Sequence, residues 1–405
     1  MKKIAIIGFG IVGGGIPEVL SSCKEGIVSL LGEEIDVKYI LDLREFPDSP
    51  YGDRVVHDID VILKDREIEL VAETMGGAHP AFEFSIAAME HGMHVVTSNK
   101  EVVATYGEEL LAAAKKNGVR YLFEASVGGG IPVLRPFLTS LAHEKVVSVS
   151  GILNGTTNFI LSKMKSEGRE FSDVLAEAQE LGYAERDPSA DVDGIDAKRK
   201  IMILTALATG TLPSDSDVYA ETISNITPAD IDAAERMGGA VKLIGTCKVS
   251  DSGLNVYVCP QIVREGNPLM FVDDVYNAVS VRCEITGDVM FYGRGAGRYP
   301  TAGAIAADII AALSGAADAE KKHVFEKQAG AVAPFGSAKF TYYIRTRASC
   351  ADTAEAYSHI FDKVEILEGS PEGTCEFICG KMTLDELNAA KDVLENAESI
   401  IRILE

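Results

Sequence analysis

The sequence predicts an α/β protein in three parts: a doubly wound parallel sheet, an α+β middle, and a small C-terminal βαββαβ module. Three observations carry this. Short apolar runs alternate with helical stretches up to about residue 130. Runs rich in Val, Tyr and Phe near 254–263 and 270–292 look like antiparallel strands. Beyond a small-residue stretch, residues 338–405 hold six short periodic segments in a β, α, β, β, α, β order.

Lys3-Ile4-Ala5-Ile6-Ile7 is a β-rich run that stops at Gly8, as a buried parallel strand does. Gly8-Phe9-Gly10-Ile11-Val12-Gly13 then opens a helical stretch to about Leu20. Gly8 allows the tight turn, Gly10 admits a pyrophosphate to the backbone, and Gly13 permits close helix–strand packing. The six residues are candidate cofactor contacts, and their position between strand and helix predicts a Rossmann-type dinucleotide-binding domain. The second strand, Val37 to Leu41, ends in Asp42, whose carboxylate suits the adenosine ribose hydroxyls of NAD. Arg44, two residues on, suits the 2′-phosphate of NADP, so NAD or NADP stays open.

Strand-like runs follow at 69–74, 95–97 and 120–124, with helices at 79–91 and 101–116. Around 146–162 a β-like run passes into Asn154-Gly155-Thr156-Thr157-Asn158, and helices are expected at 172–181 and 194–209. The apolar helix at 301–313 is expected to return to the first domain. The resulting division is 1–130 with a returning helix at 297–320, then 131–296, a linker at 327–337, and 338–405. In the C-terminal module, Ala354, Tyr357, Ile360 and Phe361 share one helix face, and Leu384, Leu387, Ala390 and Leu394 share another.

Composition narrows the function classes. The 405 residues are 47% hydrophobic with mean hydropathy +0.11, enough for a sizeable core. With 38 Lys+Arg against 61 Asp+Glu the net charge is −23, which argues against nucleic acid and anionic membranes as partners. The seven cysteines form no CxxC pair, which suggests free thiols in a reducing compartment and no structural zinc. Lys2-Lys3, an apolar run and Leu20-Ser21-Ser22-Cys23 imitate a lipoprotein signal. Five glycines, Pro17 and Glu18 inside the run argue for folded structure and a cytoplasmic protein.

A nicotinamide enzyme needs a proton donor beside the hydride acceptor. No histidine lies between 144 and 322, and no cysteine between 24 and 246, which leaves lysine. Lys100 ends Thr97-Ser98-Asn99-Lys100 at the carboxyl end of an expected strand, where ligands bind in open α/β sheets; Thr97 and Lys100 are therefore candidate cofactor contacts too. Lys200 shares a helix face with Asp196 at i,i+4. Glu185, Asp187, Asp191 and Asp193 crowd nine residues just before it. That cluster fits a metal, a solvated acidic loop, or a substrate bearing an amino group.

Together, Thr97-Ser98-Asn99-Lys100, Glu124 to Pro132, Gly151 to Asn158, and Gly182-Tyr183-Ala184-Glu185 through Asp196 and Lys200 resemble homoserine dehydrogenase over roughly residues 1–320. The resemblance implies interconversion of L-aspartate 4-semialdehyde and L-homoserine with NAD(P)H, in threonine and methionine synthesis. It implies Lys100 and Lys200 at the reacting carbonyl, with Lys200 transferring the proton. Glu185 and Asp196 would hold the substrate, and Asp191 would support that shell. Glu124, with the backbone carbonyls of Val127, Gly129 and Ile131, matches the family's monovalent-cation site, usually taken as sodium. Gly182 and Gly297 match further nucleotide contacts.

Two departures stand out. Leu41 replaces the Arg that many members carry before the second-strand Asp. The C-terminal module resembles an ACT domain, which implies threonine as an inhibitor, but Arg347-Ala348-Ser349-Cys350-Ala351-Asp352 stands where an Asp-x-Pro-Gly-type turn is usual. A homodimer or homotetramer is implied by resemblance alone. The competing readings are a non-catalytic nucleotide-binding regulatory protein on the same scaffold, and a dehydrogenase for another amino-acid aldehyde.

Overall fold

The structure is a computed structural model, and it describes all residues except 251–252, 317–324, 351–352, 354–356, 358–360, 362, 390–395 and 405. It divides into two compact units. The first holds 1–146, 202–215 and 282–328; the second holds 147–201, 216–281 and 329–405. This division differs from the three-part expectation, because residues 329–405 fall in one unit with much of the middle of the chain.

The first unit is built on six parallel strands: β1 (Lys2–Ile7), β2 (Ile35–Leu41), β3 (Val55–Val56), β4 (Ile68–Glu73), β5 (His94–Thr97) and β6 (Tyr121–Leu122). Their order is β3-β2-β1-β4-β5-β6, that of a doubly wound nucleotide-binding sheet. Ile4, Ala5, Ile6 and Ile7 are all fully buried, which explains why β1 reads as a continuous apolar run rather than an alternating one. The crossovers are α1 (Ile11–Ser22) with α2 (Lys24–Leu31), α3 (Ile59–Leu63), α4 (Ala81–Glu90) and α5 (Lys100–Asn117). A short helix α6 (Leu134–Leu138) follows, and strand β12 (Gly287–Arg294) and helix α12 (Arg298–Ser314) return late in the chain. Ala302, Ile305, Ile309 and Ala312 of α12 join the core beneath β1 and β2, as the expected returning helix should. The last expected strand is shorter than the run 120–124. Phe123 and Glu124 leave the ladder for a 3₁₀ turn at Glu124–Ser126, because the Glu124 N–H bonds the buried Asp308 carboxylate at 2.8 Å.

The second unit contains β7 (Val146–Ile152), α7 (Gly155–Glu167), α8 (Phe171–Glu180), α9 (Ser189–Val192), the start of α10 (Ile195–Thr209), β8 (Tyr219–Ala220), α11 (Pro228–Arg236), β9 (Gly239–Ser250), β10 (Gly253–Arg264) and β11 (Tyr276–Cys283). Near the C-terminus come β13 (Lys339–Thr346), β14 (Val364–Ile366), β15 (Cys375–Thr383), α13 (Leu384–Ala389) and β16 (Ala397–Leu404). One sheet runs β11-β7-β9-β10-β16-β13-β15-β14, with β8 on β10. β16 enters it in parallel, Gln261 against Arg402 and Val263 against Leu404. The C-terminal strands therefore continue the central sheet. Of the expected helix faces, Tyr357 and Phe361 are buried, while Ala354, Ile360, Ala390 and Leu394 lie outside the described residues.

The small-residue stretch expected as a linker is pinned within this unit. Leu254 N–H donates to Ala331 O at 2.9 Å, and Ala333 N–H donates to Leu254 O at 2.8 Å. Side-chain composition does not reveal such backbone pairing. Part-buried ion pairs reinforce the C-terminal strands: buried Arg402 with Glu221 at 2.6 Å, and Arg236 with the fully buried Glu376.

Candidate active site

In the second unit the acidic segment folds around Lys200. Its ammonium donates to Leu153 O at 2.7 Å and to Asp196 Oδ2 at 2.6 Å, one helical turn away on α10. Both side chains are buried, so a nearby opposite charge and a carbonyl dipole replace the water that each charge has lost. Asn154 closes the cluster. Its Nδ2 donates to Asp191 Oδ1 at 2.6 Å and to Asp196 Oδ2 at 2.9 Å. Its Oδ1 accepts Thr157 N–H at 2.8 Å, so the same side chain caps α7.

Asp191 therefore reaches Lys200 through Asn154 and Asp196. Sequence reasoning placed Asn154 in a motif without giving it a role; its signal was the Asn-Gly-Thr cap opening a helix. Glu185 and Gly182 are exposed, and Gly182 has φ +76° with open space at its Cα. Gln179 Nε2 donates to Glu185 O at 3.0 Å, which fixes that segment against α8. Asp187 bonds Ser189 N–H at 3.2 Å, and Asp193 is exposed.

In the first unit the glycine turn has the geometry its spacing requires. Gly8 has φ +88°, and a Cβ at Gly13 would lie 2.0 Å from Gly8 O. A Cβ at Gly10 would meet nothing within 4 Å, and Gly10 stands at the N-terminus of α1 with no side-chain cap. Phe9 N–H donates to Asp42 Oδ2 at 2.7 Å. Arg44 is folded onto the same carboxylate, Nε to Oδ1 at 3.0 Å and Nη2 to Oδ2 at 2.9 Å, with its guanidinium 5.1 Å from the Phe46 ring centroid. The Arg44 bonds, with those from Phe9 N–H and Arg44 N–H, hold the Asp42 carboxyl well below the usual carboxylate range. His57, bonded to Asp42 O and to Glu45, has its pKa raised.

Lys100 is the first residue of α5, half-buried, immediately after the capping residue Asn99. Thr97 is fully buried. Sequence reasoning missed Glu73, the last residue of β4, which is fully buried beneath this turn. Thr97 Oγ1 donates to its Oε2 at 2.6 Å and Met75 N–H to its Oε1 at 2.6 Å. Its one sequence signal was a carboxylate closing an apolar strand.

The segment expected to hold a cation is a buried turn. Gly128 and Gly129 have φ +75° and +54°, and a Cβ at Gly129 would lie 2.6 Å from Gly295 O. Val127, Gly129 and Ile131 are buried, and among the described residues their carbonyls accept no backbone hydrogen bond. The Glu124 side chain accepts Leu134 N–H at 2.8 Å and Arg135 N–H at 2.7 Å, while burial raises its pKa. No cluster of three His, Cys, Asp or Glu that would hold a metal occurs among the described residues. Gly297 has φ +119° at the start of α12.

Comparison with known proteins decides the family. Residues 8–124 match the model described as "Homoserine dehydrogenase, NAD binding domain", and residues 132–310 match "Homoserine dehydrogenase". A homoserine dehydrogenase of Synechocystis sp. is 44% identical over 316 residues, 76% of this chain and 72% of that one. One from Neisseria gonorrhoeae is 39% identical over 360 residues, 85% and 82% of the two chains. The chain belongs to the homoserine dehydrogenase family. A solved homoserine dehydrogenase from Thiobacillus denitrificans superposes with TM-score 0.90 at 34% identity, covering 100% of this chain and 98% of that one. A solved homoserine dehydrogenase in complex with NADPH, from a hyperthermophilic archaeon, gives 0.66 over 76% of this chain. The activity is that of an oxidoreductase, and the non-catalytic reading is not favoured. No described helix is long and apolar enough to cross a membrane.

Proposed function

We propose that this homoserine dehydrogenase performs its reaction with Lys200 as the proton donor. The observation that carries this is the buried ammonium held by Leu153 O and Asp196, at 2.7 and 2.6 Å. Bound NADH or NADPH would supply the hydride, and NAD or NADP would accept it in the reverse direction. As the hydride reaches C4 of L-aspartate 4-semialdehyde, negative charge builds on the aldehyde oxygen. An ammonium already oriented there stabilises that charge and delivers a proton, giving the alcohol of L-homoserine. Asp196 holds and aims the Lys200 side chain, while Asn154 ties Asp196 to Asp191. Lys100 is the second cation at the reacting carbonyl. Glu185, Asp191 and Asp196 supply the negative charge that an amino-acid ammonium requires, and Glu185→Ala raises KM for homoserine about tenfold or more.

Gly8 to Gly13, Asp42, Arg44, Thr97, Gly182 and Gly297 are the cofactor contacts of this reading. Either dinucleotide has to compete with the Asp42–Arg44 pair: ribose hydroxyls for Asp42, or a 2′-phosphate for Arg44. The carbonyls of Val127, Gly129 and Ile131 with Glu124 fit a sodium-like monovalent cation, because they offer neutral oxygens and one carboxylate. Such an ion supplies charge that rigidifies the turn.

Residues 338–405 are read as an ACT-like regulatory module. Threonine is its candidate ligand, and assembly of a homodimer or homotetramer is its competing role. The deciding assay follows reduced-cofactor absorbance with L-homoserine and NAD or NADP, with and without sodium and threonine. Turnover with homoserine but not with its deaminated analogue supports the substrate assignment. Equal turnover with both removes it.

A further inference from the structure

The turn that carries Lys100 hangs on a ring of hydrogen bonds between two segments more than twenty positions apart. Glu73 lies at the end of β4 and is fully buried. One carboxylate oxygen receives Met75 N–H at 2.6 Å, fixing the exit from β4 toward Gly76 and Gly77. The other receives Thr97 Oγ1–H at 2.6 Å, fixing the exit from β5. Thr97 Oγ1 in turn accepts Asn99 N–H at 2.9 Å. Asn99 Nδ2 donates back across the gap to Gly77 O at 2.7 Å. Asn99 Oδ1 accepts Glu101 and Val102 N–H at 3.2 Å each, which caps α5. Glu73, Thr97 and Asn99 have at most 6% exposure, so the Glu73–Thr97 bond at the centre of the ring is shielded from water.

The chemistry at the centre is unusual for so buried a position. A residue used only to fill the end of a strand would be apolar, since an isolated buried carboxylate is costly. Here the two donors aimed at Glu73 require an acceptor on each oxygen, which only the ionised carboxylate supplies in full. We propose that Glu73 is a positioning residue for the reaction: it locks the Asn99-capped first turn of α5 and thereby sets where Lys100 stands. This rests on the assignment of Lys100 to the reacting carbonyl made above.

The groups around Glu73 agree with that role. Burial pushes its pKa up to about 7, against the lowering effect of Thr97, Met75 and Asn99. On β6 the Tyr121 phenol is buried, and burial together with the Glu73 charge raises its pKa. Lys100 begins the helix capped beside it, and Glu101 follows, half-buried. Below about pH 7 Glu73 gains a proton and one of its two acceptor positions becomes a donor. Thr97 Oγ1 then has to accept from Glu73, its own hydrogen loses that acceptor, and the anchor of α5 loosens.

The test compares Glu73→Gln, Lys100→Ala and the double variant in the full-length enzyme. Steady-state kinetics run from pH 6 to 9, and thermal unfolding confirms that each is folded. Glu73→Gln keeps the volume but places an amide where two donors converge. Its expected effect is a loss in kcat of about 10- to 100-fold, the scale of a misplaced catalytic group. The acid limb of the kcat profile also flattens relative to wild type. The double variant is expected to be no slower than Lys100→Ala, because Glu73 acts through that lysine. A Glu73→Gln enzyme with wild-type kcat and pH profile overturns the proposal, as do additive losses in the double variant. An unimpaired Lys100→Ala overturns the Lys100 assignment and with it the route by which Glu73 acts. An impaired Lys100→Ala beside an unimpaired Glu73→Gln overturns the positioning alone.

Discussion

Lys200 and Lys100 are two lysines held by opposite strategies. Lys200 is secured by its own neighbourhood: Asp196 one turn back on the same helix, and the carbonyl of Leu153. Lys100 stands at the first position of a helix whose cap, Asn99, is tied to Gly77 and, through Thr97, to Glu73. A charge secured by contact keeps its partner when one loop shifts. A charge placed by a loop moves with every bond in the ring. Substitutions at the first site should therefore act on chemistry, and those at the second on geometry.

The largest effect is expected at the first site. Lys200→Ala lowers kcat at least a hundredfold, within the roughly 10²–10⁴ of a positioned acid–base group. Stopped-flow measurement of cofactor oxidation checks it, and turnover near wild type removes Lys200 from the reaction. Asn154→Ala sharpens the contrast. It strips the bridge between Asp191 and Asp196 and the cap of α7 together. Expected are a fall in kcat of about tenfold and a loss of about 1–2 kcal/mol in stability. Chemical denaturation and kinetics on one preparation separate the two.

What the sequence disclosed follows the same divide. Gly8, Gly10, Gly13, Asp42, Asp196 and Lys200 were legible because turn geometry and the i,i+4 helix face are local rules. The parallel sheet followed from alternating periods, but its edge strand Val55–Val56 is two residues long and carries no such signal. Glu73 was invisible as a functional residue, because its partners Thr97 and Asn99 lie 24 and 26 positions on and nothing local marks the pairing. Strand β9 went unread for a related reason: buried along nine consecutive positions, Gly239 to Cys247, it shows no alternation, and Lys242 sits in its middle. That lysine is accommodated by Val272 O at 2.6 Å and Asp273 at 2.7 Å, both distant in sequence. The stretch around Ala331 looked like a linker because its strand-like pairing with Leu254 uses backbone alone.

The Asp42–Arg44 pair offers a middle case, with contact made within two residues but on an exposed loop. Arg44→Ala frees Asp42 for ribose hydroxyls and removes the positive charge suited to a 2′-phosphate. The expected result is a drop in kcat/KM for NADP of about tenfold, the scale of one charge-assisted bond, with NAD within about twofold of wild type. Equal changes with both cofactors break this account of the pair.

The last expected effect concerns stability, and it runs against function. Burial raises the Glu73 pKa from 4.5 to about 7, so the folded state holds a proton that the unfolded chain releases near pH 4.5. A raised carboxyl pKa favours the fold fully below 4.5, and that advantage is lost as pH climbs through 7. The shift of 2.5 units corresponds to roughly 3 kcal/mol between those limits. Glu73→Gln cannot ionise and escapes this loss. Its Tm should therefore gain on that of wild type by several degrees between pH 5 and pH 8, at about 2–4 °C per kcal/mol. Scanning calorimetry of both proteins across that range reads the difference directly. A constant gap would mean that Glu73 does not change its protonation between pH 5 and pH 8 in the folded protein. The same variant would then be slow without being stabilised at alkaline pH, and the positioning role of Glu73 would stand on its hydrogen bonds alone.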